Sequence, residues 1–150
     1  CRAGQPWRGF WHDTSKLLPA EFFESVRYYE NGKSPHVVAI SQGKEFPAWQ
    51  HHVGHNPHHW EYWIDRRGLE GDVPLKMPYP YFVEMVCDWL GASKTYSAFR
   101  GKDWSMDELH AWYERTKQYQ KFHPYTYAMV KVIMQLKTEQ EIYDFLRSIK

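Results

Sequence analysis

The sequence predicts an all-α protein, and three observations carry that expectation. Its apolar residues recur mostly at helical spacing. Ser105 to Glu108 and Thr138 to Glu141 both match the capping box, in which a hydroxyl and a glutamate reciprocally satisfy the free amides of a helix start. Pro19, Pro47, Pro57 and Pro124 stand where helical patterns open, and proline is tolerated at a first helical position. At 150 residues and 18.1 kDa the chain fits one compact helical bundle over residues 1–150. Mean hydropathy is −0.73 while aromatics reach 18%, so bulky rings are expected beneath a well-solvated surface.

Taken in order, Pro19 opens a segment that presents Phe22, Val26 and Tyr29 at helical spacing before an Asn31-Gly32 stop. Residues Lys33 to Glu45 read as a loop or a short extended piece. A helix from Pro47 carries Trp49, His52 and Val53. Pro57 disfavours helical geometry at Asn56, so the chain turns there and restarts with Asn56 as cap and Pro57 as first residue. Arg66 to Pro78, rich in Gly and Pro, reads as a second loop. Tyr79 to Ala92 follows as a helix with Phe82, Met85, Val86 and Trp89 as its core stripe. After the segment begun at Ser105, Ala128, Val132, Ile133 and Leu136 are expected to pack against Ile142, Tyr143, Leu146 and Ile149 in a structural C-terminal hairpin.

Several classes are disfavoured. The 19 basic and 18 acidic residues are interspersed at a net charge of +1, without the electrostatic footprint of a dedicated nucleic-acid binder. No apolar run is long enough for a bilayer, and no signal-peptide pattern is present, so no membrane partner is expected. Cys1 and Cys87 lie far apart, which fits a reducing compartment and argues against a disulfide scaffold or a thiolate zinc finger. A cytoplasmic location is expected.

The chemistry points to a metal. Five of the nine histidines, His51, His52, His55, His58 and His59, fall within nine residues, and His12 precedes Asp13. Neutral imidazole is the commonest transition-metal ligand, and a neighbouring carboxylate can bridge two ions. His58 and His59 are expected in the first turn of the restarted helix, where the positive end of the dipole keeps the rings neutral. His52 and His55 could face one cavity, with His51 projecting elsewhere. Glu84 and Asp88, four residues apart on one helix face beside the apolar stripe, need a cation or a lysine nearby, and Asp88 is the preferred distal ligand. Read separately, His12-Asp13 is also compatible with a turn aspartate beside a half-buried ring, and the histidines with a polar helix surface. The eight tryptophans are expected mainly in the core.

This order, His-Asp, then spaced histidines, then a helical Asp, resembles the HD superfamily of metal-dependent phosphohydrolases. His12-Asp13-x-x-Lys16 is similar to the signature of its cyclic-dinucleotide phosphodiesterase branch, which implies a phosphate contact for Lys16. A wider resemblance, over nearly the whole chain, is to a family of uncharacterised bacterial, archaeal and phage proteins carrying a domain of unknown function. Its motifs here are Pro6-Trp7-Arg8-Gly9, His12-Asp13-x-Ser15-Lys16, Pro19-Ala20-Glu21-Phe22, His52-x-x-x-Asn56-x-His58-His59-x-Glu61-Tyr62-Trp63, Met77-Pro78, Glu84-Met85-x-x-Asp88-Trp89 and His123-Pro124-Tyr125-Thr126. Members of that family typically carry an upstream helix with a Glu-His-Lys motif. The present chain opens on Cys1 without it, so the expected domain is HD-like but lacks that helix.

The resemblance implies a hydrolase that cleaves a phosphoester of a nucleotide or another small phosphorylated molecule through metal-activated water. His12, Asp13, His52, His58, His59 and Asp88 would hold one or two divalent ions, with Mn, Fe, Zn and Co all compatible with the ligand set. Lys16 would neutralise phosphate charge, with Arg66 or Arg67 in reserve, and Glu84 or Glu61 would orient water or imidazoles. Oxygenation at a di-iron site is a variant. The alternative from a different class is a non-catalytic interaction protein, phage-encoded ones included, that binds a metal or a nucleotide without turning it over. A bare helical scaffold would bind no stoichiometric metal.

Overall fold

Proline sets most of the helix starts. Pro6, Pro19, Pro35, Pro47 and Pro124 each occupy a first helical position, where the missing N–H would have had no partner and the ring fixes φ in advance. The computed structural model describes residues 2–67 and 71–149. Its elements are α1 (Pro6–Trp11), a 3-10 turn (Thr14–Leu17), α2 (Pro19–Arg27), α3 (Pro35–Ser41), α4 (Pro47–His55), a second 3-10 turn (Trp60–Trp63), β1 (Ile64–Arg66), β2 (Asp72–Pro74), α5 (Tyr79–Phe99), α6 (Met106–Thr116), a third 3-10 turn (Lys117–Tyr119), α7 (Pro124–Ile133) and α8 (Glu139–Ser148).

The main core belongs to the second half of the chain. Phe82, Val83, Met85, Val86 and Leu90 of α5 meet Met106, Leu109 and Tyr113 of α6, Val130 and Ile133 of α7, and Ile142 and Leu146 of α8. Burying a side chain such as Leu146 stabilises by roughly 1.5–3 kcal/mol. Polar ties hold the rim: Tyr79 donates from its hydroxyl to the Leu146 carbonyl at 2.7 Å, and Lys94 and Tyr143 both reach Glu139 at 2.5 Å. A smaller cluster of Tyr28, Val38 and Ala39, with Phe46 against it, joins α2, α3 and the entry to α4.

Most of the expected elements form, with several corrections. The protein is mostly helical, but Arg66 to Pro78 is not simply loop: β1 and β2 pair antiparallel with Asp65 opposite Val73, while Gly68, Leu69 and Glu70 lie outside the described residues. Lys33 to Glu45 contains α3, whose Val38 and Ala39 are buried; tertiary packing overrides the weak helix propensity of its β-branched run. Helix α5 continues past Ala92 to Phe99. Ser93 and Thr95 turn their hydroxyls back onto the Leu90 and Gly91 carbonyls, and the helix ends before Gly101, whose φ of +66° suits glycine.

Other corrections concern side chains. At Thr138 the capping box is complete, whereas Ser105 makes no cap bond and Glu108 instead accepts from Arg100 at 2.7 Å. The stripe of α7 runs through Thr126, Val130 and Ile133, leaving Ala128 and Val132 exposed. Phe22 and Val26 of α2 and Tyr29 just beyond it stay out of both cores, and Trp7 and Trp11 are exposed, against the expectation that the tryptophans pack inside. No described helix is long and apolar enough to cross a membrane.

Candidate metal centre

Two short turns and two helices bring the sequence-predicted ligands together. His12 ends α1 and Asp13 precedes the first 3-10 turn; His52 lies on α4, His58 and His59 in the turn after it, and Asp88 on α5. Helix α4 ends at His55 because Pro57 disfavours helical backbone at Asn56, which is extended at φ −114° and ψ 97°. The expected helical restart at Pro57 does not form. His58 and His59 sit in an irregular turn, and regular structure resumes only at Trp60. Asn56 is not the N-cap of a new helix but the C-cap of α4; its Nδ2 donates to Ser15 Oγ at 2.6 Å and to the His52 carbonyl at 2.8 Å.

The ligands form two triads. Ligand atoms of His52, His58 and His59 all lie within 4.8 Å of one another, and so do those of His12, Asp13 and Asp88. Asp13 joins the two. Its Oδ1 is 3.6 Å from His52 Nε2 and 3.6 Å from His58 Nε2, while its Oδ2 is 3.4 Å from His12 Nε2. Asp88 Oδ1 is 3.8 Å from His12 Nε2. Asp13 Oδ1 and both ring nitrogens of His58 are buried without a hydrogen-bond partner. Each such orphan costs about 1–3 kcal/mol, and a cation between the triads would satisfy several at once. The donor set of imidazole nitrogens and carboxylate oxygens fits a divalent transition metal.

Outer contacts aim these rings. His12 Nδ1 donates to the Gly9 carbonyl at 2.8 Å, which leaves Nε2 facing the carboxylates. His52 Nδ1 donates to Glu21 Oε2 at 2.8 Å and leaves its own Nε2 facing Asp13 and, at 2.9 Å, His59 Nε2. Glu21 also accepts from His51 Nδ1 at 2.7 Å and from Ser15 Oγ at 3.1 Å. Trp49 packs edge-on against His59 and stacks on His36. Glu84 takes two bonds from Arg8, at 2.6 and 3.0 Å, and turns its other oxygen to 3.3 Å from His58 Nδ1.

The electrostatics follow from burial and these pairs. The Asp88 carboxylate, helped by Asp13 and the Gly9 carbonyl, pushes His12 up to about 9 against the opposing effect of burial. Burial raises Asp88, but His12, His58, His59 and Lys16 outweigh it and hold the carboxyl below its usual range. Burial, joined by the charges of His58 and His52, pushes His59 down to about 3, and burial also lowers His52 against the pull of Glu21 and Asp13. The neutral His59 expected from a helix dipole is therefore produced by desolvation. Burial pushes Glu21 and Glu84 up, yet the hydrogen bonds from His51, His52 and Ser15 to the first, and the nearby His58 ring with the bonds from Arg8 at the second, bring both below the ordinary carboxylate value.

The remaining expected residues divide. Lys16 lies at the site, its Nζ paired with Asp13 Oδ2. Glu61, on the second 3-10 turn, belongs to neither triad, and burial pushes its carboxyl up to about 7. Arg66 and Arg67 lie at the hairpin, where Arg67 bonds Asp65 at 2.7 Å, and neither lines a cleft at the site. His55 turns away, exposed, with Nδ1 on the His51 carbonyl. Glu21, which the sequence offered only within the Pro19-Ala20-Glu21-Phe22 motif and without a role, anchors His51 and His52. An acid in the first turn after Pro19 is explained equally well by the helix dipole, which hides its role beneath the histidines.

Two clefts meet at this centre. The larger, about 1000 Å³, reaches His12, Asp13, Lys16 and Asp88, and the smaller, about 640 Å³, reaches His12 from the side of Trp7 and Trp11. No curated protein and no solved structure matches the chain. Residues 1–136, which include every residue of both triads, match the model of a family of unknown function, DUF5662, and the chain belongs to that family.

Proposed function

We propose that the protein is a metal-dependent phosphoester hydrolase of HD type, acting on a nucleotide or another small phosphorylated molecule. The observation that carries this reading is the position of Asp13, whose two carboxylate oxygens face different triads while one of them is buried without a partner. That is the arrangement expected of a bridging carboxylate between two cations. When bound, one or two ions of Mn, Fe, Zn or Co would supply Lewis acidity toward water and the phosphoryl group. His12, Asp13 and Asp88 would hold one ion and His52, His58 and His59 the other. Lys16, half free at the cleft, would leave Asp13 to meet phosphate charge, and Glu84 would fix His58 through its Arg8-braced carboxylate. This reading is of a single domain working in a reducing cytoplasm.

Elemental analysis of the purified protein beside Asp13→Asn tests it, with a panel of phosphomonoesters and phosphodiesters. The expected result is one or two divalent ions in the wild type, their loss in the variant, and abolished turnover with an unchanged circular dichroism spectrum. An Asp13→Asn protein that keeps both metal and activity overturns the reading.

A second reading is favoured by one observation. Trp7 and Trp11, 75% and 61% exposed, flank the smaller cleft beside His12, as a binding surface would. On this reading the centre holds a structural metal or a nucleotide for a non-catalytic interaction protein. Metal that resists chelation, with no phosphoester turned over, would favour it.

A further inference from the structure

The larger cleft has two chemically distinct parts. At its inner end stand His12, Asp13, Asp88 and Lys16. The rest is mainly apolar: Phe22 and Val26 of α2 and Tyr29 just after it line one side, with Ser25 and Lys33 as polar neighbours, and Gly91, Ala92 and Thr95 of α5 line the other. Phe22, Val26 and Tyr29 have the spacing of a core face, yet they are 45%, 58% and 66% exposed. The facing helix is low at Gly91 and Ala92, where a Cβ added at Gly91 meets nothing within 4 Å, while Tyr96 and Phe99 of the same helix line the cleft further along. Thr95 spends its hydroxyl on the Gly91 carbonyl, so it offers that donor to its own helix before any ligand.

A contiguous apolar surface kept open to water marks a binding site, and about 1000 Å³ is the size of a cleft that takes a small molecule. Charge fixes the orientation of the occupant. A cation at the triad and the Lys16 ammonium would attract an anionic group at the inner end, while the outer walls favour an uncharged body. We infer that the cleft between α2 and α5 binds the organic part of the substrate, and that this part is a bulky alkyl or aromatic group esterified to the phosphate. The inference rests on the metal-centre reading of the two triads.

The test is a series of alkyl phosphates from methyl to decyl, together with naphthyl phosphate, on the Mn-loaded protein. Apolar burial predicts that kcat/KM rises about threefold to fourfold per methylene until the cleft is filled, mainly through KM. A steep alkyl series with weak naphthyl phosphate points to a lipid-like chain, and the reverse points to a ring system; both support the inference. Gly91→Leu, which fills the cleft from α5 and favours helix, should flatten the length dependence, as should Val26→Asp at the opposite wall. The exposed control Val37→Asp, outside the cleft, should keep it steep.

A flat wild-type series with good turnover of methyl phosphate overturns the inference and leaves the hydrolase reading intact. If no ester is turned over, the hydrolase reading fails, and calorimetry with the same alkyl phosphates, methyl to decyl, decides the inference: length-dependent affinity lost in Gly91→Leu supports it, and length-independent affinity overturns it. Sedimentation that finds a wild-type dimer dissociated by Val26→Asp also overturns it, because a second copy would then cover the cleft.

Discussion

The two halves of this chain are buried by different means. From α5 to α8 the interior is apolar, with Ser97 and Thr126 the polar residues buried among the described ones. From α1 to the second 3-10 turn, the buried set includes Glu21, His52, Asn56 and His58, and the apolar cluster beside them is small. The first arrangement gains free energy chiefly by removing surface from water, and its orphaned polar atoms, Ser97 Oγ, His110 Nε2 and Gln120 Oε1, are scattered rather than gathered at one place in the sequence. The second leaves atoms such as Asp13 Oδ1 and His58 Nε2 with no partner in the protein, which is a cost unless a ligand satisfies them. The C-terminal half reads as scaffold and the N-terminal half as a site built against it.

Substitutions sharpen that contrast. The largest effect is expected in the scaffold: Leu146→Ala, at a fully buried position between α8 and the other core helices, should destabilise by about 2–5 kcal/mol in urea unfolding. The folded fraction should still bind divalent metal with wild-type stoichiometry. Loss of metal at a concentration of denaturant where the protein remains folded would mean the halves are not separable in this way.

Glu21→Gln acts on the other half. The amide has one acceptor oxygen for His51, His52 and Ser15, so the His52 ring loses its anionic anchor. Metal affinity should fall about 10–100-fold, equivalent to about 1.4–2.8 kcal/mol. The core should hold, so the amide protection of α6 to α8 in hydrogen exchange should match the wild type. An unchanged affinity would reduce Glu21 to a structural residue.

The smallest effect belongs to Thr138→Ala, which removes the side-chain half of the one complete capping box and should cost about 1 kcal/mol without touching metal binding. Ser105→Ala provides the comparison. Ser105 makes no cap bond in the structure, so its truncation should cost clearly less. Equal losses would show that the hydroxyls contribute through something other than capping.

What the sequence made legible follows the same division. Helices opened by Pro19, Pro47 and Pro124, and the packing of Ile133 on Ile142 and Leu146, depend on local signals and helical period, and both survive folding. The stripe Phe22, Val26 and Tyr29 has the same period but no partner, because periodicity reports a shared face and cannot say what lies opposite. Residues His12, Asp13, His52, His58, His59 and Asp88 were expected as ligands from their chemistry, and their donor atoms converge as two triads. Their geometry was not. His58 and His59 were expected on a helix and lie in a turn, and the expected role of Glu61 places it beside the centre, where neither triad includes it. Glu21 escaped because its partners lie about thirty residues away on α4, a distance that no local pattern spans.

The Arg8 to Glu84 pair acts on the chain as a clasp. It joins residues 76 apart in sequence and so closes a loop over half the length of the protein, with the whole histidine-rich segment inside it. Closing so long a loop removes entropy from the open chain, and once it is closed each later ligand of the centre has only a short distance to travel. Arg8 belongs to neither triad, yet its bond to Glu84 brings the beginning of the chain to α5, one helical turn from the Asp88 that His12 meets.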